Sequence, residues 1–260
     1  DIKAGGKVIV KADEQLCTAV TGEDGTAIFE QNLPFGSYYI KELQAPDGFV
    51  SSDEIIEVTV SYQGQDVEVV RLKEIFKNQP TTVEFRKSDL TTGVELDGAT
   101  LTVLDKDGNE IDKWTSVKGE PHIIKRLHVG ETYILREEFA PYGYLKAEEV
   151  EFTITDTAEI QKVEMKDDVP IGRIIINKKG EFLSEVSWND MVAGAMDSIW
   201  GYVTGSLKDV TFEIYAREDI KAADGESDDY YKKDELVATI KTDELGIART
   251  DDLPLGKYYV

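Results

Sequence analysis

The stretch Ile123-Ile-Lys-Arg-Leu-His-Val-Gly-Glu-Thr-Tyr-Ile-Leu135, continued by Arg136-Glu137-Glu-Phe-Ala-Pro-Tyr-Gly-Tyr144, reads as a short strand, a turn at Gly130 and a second strand, closed by proline and glycine. The same phrase stands at Thr26-Ala-Ile-Phe-Glu-Gln-Asn-Leu-Pro-Phe-Gly-Ser-Tyr-Tyr-Ile40 and at Ile247-Ala-Arg-Thr-Asp-Asp-Leu-Pro-Leu-Gly-Lys-Tyr-Tyr-Val260. The first of these runs on as Glu42-Leu-Gln-Ala-Pro-Asp-Gly-Phe49, much as the middle copy does. Their turn glycines, Gly36, Gly130 and Gly256, lie 94 and 126 positions apart. That is a domain spacing, far above the roughly 20- to 50-residue period of a solenoid.

Outward from the middle copy, period-two alternation predicts strands at Thr82–Lys87, Thr100–Leu104, Ile111–Thr115, His122–Leu127, Thr132–Glu137, Glu149–Thr155 and Gln161–Asp167. Asp105-Lys-Asp-Gly-Asn109 reads as a hairpin turn; its oxygen spacing resembles a calcium loop, but no terminal Glu stands at the required distance. Short strands joined by polar turns predict an all-β chain of tandem antiparallel β-sandwich modules. The expected boundaries are a partial module at 1–79, a complete one at 80–169, and a third at 170–260. Asp1-Ile-Lys-Ala4 reproduces Asp219-Ile-Lys-Ala222. Copy one is therefore expected to lack its first strands and copy three its last. Copy three also carries an insertion at 181–205, where Met191, Met196, Ile199 and Trp200 roughly follow a helical period and predict a short helix. Trp188 and Trp200 make this insertion a candidate contact surface.

Composition narrows the function. The 260 residues carry 52 acidic against 29 basic side chains, a net charge of −23 that repels phosphate backbones and anionic membranes. Nucleic acid is excluded as a partner. The 12 Tyr, 9 Phe and 3 Trp sit within Val/Ile/Thr alternation, which sets the chain apart from acidic disordered segments. No apolar run approaches the roughly 20 residues that span a bilayer, so no membrane insertion is expected of this segment. The single Cys17 allows no intrachain disulfide and is expected as a small buried side chain. His122 and His128 make a poor metal set, and neither a metal nor a cofactor is expected.

One group of residues remains. Strand phase carries Lys87 inward with Val83 and Phe85, Glu137 with Tyr133 and Leu135, and Asp167 with Val163 and Met165. Burial disfavours the charged forms of amine and carboxyl alike, so proton exchange can leave a neutral amine facing a protonated carboxyl. A salt bridge is the other use of such a pair, and Asp168 and Glu138 are neighbouring rivals for the acidic positions.

These three residues, together with the Ala140-Pro-Tyr-Gly-Tyr144 motif, resemble the Cna B-type or SpaA-like prealbumin-like repeats of Gram-positive adhesins and pilins. The resemblance covers nearly the whole chain, once completely and twice in part. It implies a stalk module closed by an autocatalytic isopeptide bond, with Lys87 as nucleophile, Asp167 as electrophile and Glu137 as acid/base. It also implies that the chain is otherwise no enzyme, that it lies at the cell surface or in the cell wall, and that adjacent repeats of the same polypeptide are its first partners. Glu42 and Asn78 in copy one, and Lys178 in copy three, are equivalent sites left incomplete. The alternative function is a ligand-binding adhesin module for a host protein or glycan, using the insertion.

Overall fold

The computed structural model describes the backbone of residues 1–188 and 198–260, and the side chains of all residues outside 184–200. In the middle of the chain seven strands form: β1 (Thr82–Asp89), β2 (Thr100–Leu104), β3 (Glu110–Thr115), β4 (His122–Lys125), β5 (Thr132–Phe139), β6 (Val150–Thr153) and β7 (Gln161–Asp167). They make a four-stranded sheet in the order β6-β5-β2-β3 and a three-stranded sheet in the order β7-β1-β4. The expected all-β sandwich is present, and β2 and β7 have the predicted ends. β4 stops at Lys125 rather than Leu127 because Arg126 takes a left-handed φ of 68°.

Alternation does the folding here. From Thr82 to Lys87 the inward residues of β1 are buried and their neighbours half-buried, as expected for a strand with one face in a core, and Ser88 and Asp89 beyond them are both buried. Phe85 lies 5.4 Å from each of the Trp114 and Phe152 rings, and Tyr133 stacks on Phe152 at 5.8 Å. Leu101, Val103, Leu135 and Met165 complete the packing. The β2–β5 ladder pairs Leu101 with Glu137 and Val103 with Leu135, then shifts by a bulge opposite Thr100. The bulge comes after Glu137 in β5 and so leaves the inward phase of that residue intact. The Asp105 turn is a hairpin turn as expected: its carboxylate accepts the N–H groups of Asp107 and Asn109 at 2.9 and 2.8 Å.

The chain divides into two compact units. The first holds Asp1–Val83 with Ile124–Glu131 and Thr153–Gln161. Its hairpins are Ile2–Ala4 with Lys7–Val10, and Gly36–Lys41 with Ile55–Val60. No apolar side chain before Val83 is buried among the described residues. Cys17, expected to be buried, is half-exposed for the same reason: nothing closes over it. Within this unit Phe49 lies under Arg126 at 5.0 Å, and Thr81 donates to the carbonyl of Leu127 at 2.6 Å.

The second unit holds Glu84–Ile123, Thr132–Phe152 and Lys162–Val260. Here Thr211–Ala216 pairs with both Leu236–Lys241 and Tyr258–Tyr259, and Ile214, Ile220, Ala248 and Leu253 are buried. The insertion is a long antiparallel hairpin, Lys179–Trp188 against Ser198–Ser206. Ile199 and Trp200, assigned above to a helix, therefore lie in a strand. Ser198-Ile-Trp-Gly-Tyr-Val-Thr204 is rich in β-branched and aromatic residues, and a facing strand supplies the ladder. Met191 and Met196 lie outside the described residues.

The repeat recurs in hydrogen bonds. Tyr38 donates to the carbonyl of Pro34 and Tyr258 to that of Pro254. Asp1 accepts the N–H of Ala12 as Asp219 accepts that of Lys233, each at 2.8 Å.

Gly48 and Gly143, at one position of the repeated motif, both sit at positive φ, 79° and 93°. A Cβ on Gly48 would stand 2.5 Å from the Arg126 carbonyl oxygen, whereas one on Gly143 would meet only the Ala223 Cβ at 3.5 Å. Gly143→Ala is therefore expected to cost about 1 kcal/mol of backbone strain, and Gly48→Ala about 3 kcal/mol, because a clash adds to the strain. Urea denaturation of both variants checks the order; equal costs would refute the Arg126 contact as the reason.

Candidate functional site

Lys87 stands ahead of Asp89 at the end of the inward set of β1, Glu137 ends that of β5 and Asp167 that of β7. Glu137 and Asp167 are fully buried and Lys87 is 3% exposed, while the rivals Asp168 and Glu138 are exposed and half-buried. Lys87 Nζ donates to Asp167 Oδ1 and lies 3.0 Å from Glu137 Oε1. The contact with Glu137 Oε1 is an ion pair without hydrogen-bond geometry, and Asp167 Oδ2 has no hydrogen-bond partner among the described residues. A buried cation between two carboxyl groups demands that its surroundings be fixed. Leu90 N–H donates to the carbonyl of Asp167, and Leu145 N–H to that of Asp168, each at 2.8 Å, so the end of β7 is held on both sides.

The proton balance follows from burial. Desolvation pushes the Asp167 carboxyl up to about 6; Lys87 pulls against this and Glu137 adds to the rise. With Asp167 protonated, Lys87 and Glu137 form a charge-balanced pair beside a neutral acid. That is the composition an amide condensation requires: an amine, a protonated carboxyl and a carboxylate able to carry a proton between them.

Two supporting groups were not read from the sequence. Ala147 N–H donates to Glu137 Oε2 at 2.7 Å, and the Tyr144 hydroxyl donates to Asp89 Oδ2 at 2.8 Å. Asp89 also accepts the N–H groups of Thr91 and Thr92 at 2.7 Å. The signal was the Ala140-Pro-Tyr-Gly-Tyr144 motif: it turns the chain after β5, bringing Ala147 back onto Glu137 and tying Tyr144 to the end of β1.

Among the incomplete sites, Asn78 Nδ2 donates to Glu42 Oε2 at 2.7 Å, and Ser52 N–H donates to the same oxygen at 3.1 Å. Lys178 is exposed, although it follows the half-buried Ile174 and Ile176; its backbone N–H bonds the Gly246 carbonyl at 2.8 Å. Trp188 and Trp200 lie in the hairpin strands, opposite Ser198 and Val186. No group of three or more potential metal ligands occurs among the described residues.

The model of the SpaA family, a prealbumin-like fold domain, matches residues 4–74 and 81–169. Among solved structures, the chain is similar to the Bacillus anthracis TIE protein at 26% identity and a TM-score of 0.47, covering 92% of this chain and 38% of that one. It is similar to the shaft pilin SpaA from Lactobacillus rhamnosus GG at 16% identity and a TM-score of 0.32, covering 60% and 70%. A streptococcal ancillary pilin matches at 16% identity and a TM-score of 0.33, covering 87% and 66%. No curated protein matches the chain.

Burial works against the Asp89 carboxylate, but the bonds from Thr92, Tyr144 and Thr91 outweigh it and hold the group below its ordinary range. A depressed carboxyl contributes stability above its unfolded pKa and loses it as the pH falls through the folded one. Tyr144→Phe is thus expected to cost about 2 kcal/mol at neutral pH and progressively less in acid. Urea midpoints across pH check this; a cost unchanged in acid would show that the Asp89 bond is not its source.

Proposed function

Because the chain belongs to the SpaA family of prealbumin-like fold domains, pilin- and adhesin-like structural modules, and buries a Lys–Asp pair of isopeptide-forming composition, we propose that it is a segment of a surface stalk whose middle module cross-links itself. The polypeptide is read as an array of modules at 1–79, 80–169 and 170–260, on the cell surface or in the cell wall of a Gram-positive bacterium, with adjacent repeats as partners. One observation carries this reading: Lys87 Nζ is in contact with both Asp167 and Glu137 where all three side chains are buried.

The reaction balances without an external reagent. Lys87 gives a proton to Glu137, and the neutral amine attacks Cγ of protonated Asp167. The Nζ–Cγ bond forms, Glu137 returns that proton to the departing hydroxyl and takes up the second proton of the amine, and the Cγ–Oδ2 bond breaks to release one water, leaving a neutral amide beside protonated Glu137. Asp167 Oδ2, free of hydrogen bonds among the described residues, suits the leaving oxygen. Fixed contact in place of diffusional encounter supplies much of the rate. The bond closes a loop of 80 positions and contributes about 4 kcal/mol by loop entropy.

A second reading draws on the copy-three hairpin, where Phe182, Leu183, Tyr202 and Val203 are exposed. An apolar ribbon of this kind suits recognition of a host protein or glycan by an adhesin. Replacing Trp188 and Trp200 together would abolish saturable binding if this reading holds.

The intact chain is expected to weigh one water less than its formula, with the loss mapped by peptide mass spectrometry to Lys87 joined to Asp167. Glu137→Ala should restore most of the missing mass and Lys87→Ala all of it; a wild-type chain of full formula mass would leave a salt bridge only. The Asp167 proton is present below its raised pKa and lost above it. In chain folded from an unreacted denatured state, bond formation should therefore slow as the pH rises through about 6.

A further inference from the structure

The backbone ties of the cross-linking residues converge on one turn. Beyond Lys87 the chain folds back between Asp89 and Leu96: Leu96 N–H donates to the Lys87 carbonyl at 2.9 Å, and Leu90 N–H to that of Asp167 at 2.8 Å. Asp89 accepts the Tyr144 hydroxyl at 2.8 Å. Tyr144 stands three residues before Ala147, whose N–H holds Glu137. The amine and the acceptor are thus bonded to this turn directly, and the acid is one short segment away.

The tip of the turn is Thr92, and its partner lies in copy three, within the same compact unit. Thr92 Oγ1 donates to Asp224 Oδ2 at 3.1 Å. Two contacts flank this bond. A Cβ on Gly143 would stand 3.5 Å from that of Ala223, and Lys118 pairs with Glu226 beside Gly119, whose N–H donates to Glu95 Oε2 at 2.6 Å. Asp224 Oδ1 in turn accepts the N–H groups of Glu226 and Ser227 at 3.0 and 2.9 Å. Burial works against its charge, but the bonds from Ser227, Glu226 and Thr92 outweigh it and lower the carboxyl to about 2. An ionised acceptor makes the stronger kind of hydrogen bond.

We propose that the Ala222–Ser227 turn of copy three is a positioning element for the middle module, and that the Lys87–Asp167 bond forms at full rate only once this turn has docked on Thr92. This dependence rests on the reading of Lys87 and Asp167 as an isopeptide pair. Amide formation needs its three groups held in one narrow geometry, and small displacements of their supports cost rate steeply. A turn free at its tip lets the ends of β1 and β7 and the Tyr144 segment shift. The bond from Thr92 to Asp224, with Ala223 against Gly143 and Glu226 on Lys118, takes that freedom away from three sides. Each seal then follows the folding of the next module, and Thr92 and Asp224 act on the reaction without touching the reacting atoms.

The test follows the 260-residue chain from an unreacted denatured state into folding buffer, with tryptophan fluorescence reporting folding and intact mass reporting the loss of water. Thr92→Val, which keeps the shape but removes the hydroxyl, and Asp224→Ala should each slow water loss about tenfold in chain whose fluorescence has already reached its folded value. Thr92→Ser keeps the donor and should react as the wild type does. The double variant should be no slower than either single one, because both remove the same bond. If Asp224→Ala fails to fold, the contrast between Thr92→Val and Thr92→Ser decides. Thr92→Val losing water at the wild-type rate would overturn this proposal alone, as would slowing that Thr92→Ser does not relieve or that multiplies in the double variant. A wild-type chain that folds and loses no water would overturn it together with the reading of the middle module.

Discussion

A primary amine inside an apolar core is the constraint on which the middle module is organised. Lys87 can occupy its place near the end of β1 only if a carboxyl group meets it there, because an uncompensated buried charge costs several kcal/mol. Glu137 comes from the four-stranded sheet and Asp167 from the three-stranded one, so the ion cluster joins the two layers. Phe85, two residues before Lys87, packs against Trp114 and Phe152, and the burial of the three ionisable groups strengthens each electrostatic contact among them. Backbone bonds from Leu90 and Leu145 fix the acceptor strand, and Ala147 fixes the acid. Apolar packing and polar chemistry here serve one another.

The three copies show how far a repeated sentence determines a structure. Tyr38 and Tyr258 make the same bond to a proline carbonyl, and Asp1 and Asp219 tie the same loop. Local turns and strand pairs thus form wherever the phrase occurs. Burial differs between them: no apolar side chain before Val83 is buried among the described residues, whereas the middle phrase buries Tyr133 and Leu135. Local propensity makes the hairpins, while long-range pairing makes the sandwich.

Much of this was legible beforehand, and the reason is periodicity. In Gln161–Asp167 Val163 and Met165 alternate with polar residues, and in Thr132–Glu137 Tyr133 and Leu135 set the phase although Ile134 lies between them, so side-chain direction could be counted to Glu137 and Asp167. The count worked because the bulge in β5 falls after Glu137. It worked less well where pairing, not phase, decides direction: Lys178 follows Ile174 and Ile176 but is exposed where its strand ends at Asn177. The insertion misled because widely spaced apolar residues fit a helical period as readily as a twisted hairpin. Ala147 could not be found by any side-chain pattern, since it acts through its backbone N–H, and the Glu42–Asn78 contact joins residues 36 positions apart with no strand pairing between them.

The neighbourhood of β1 and β7 has a mechanical meaning. The polypeptide enters the middle module along β1, which ends near Lys87, and leaves from β7 just past Asp167, and these strands are adjacent. If the two side chains are joined as proposed, tension applied between the two ends of this module would pass from β1 through one amide into Asp168. The 79 residues between them, roughly 270 Å of chain if drawn straight, lie outside the load path. On that reading the module would behave under pulling as a link of fixed length, with the fold inside it relieved of the force that it transmits.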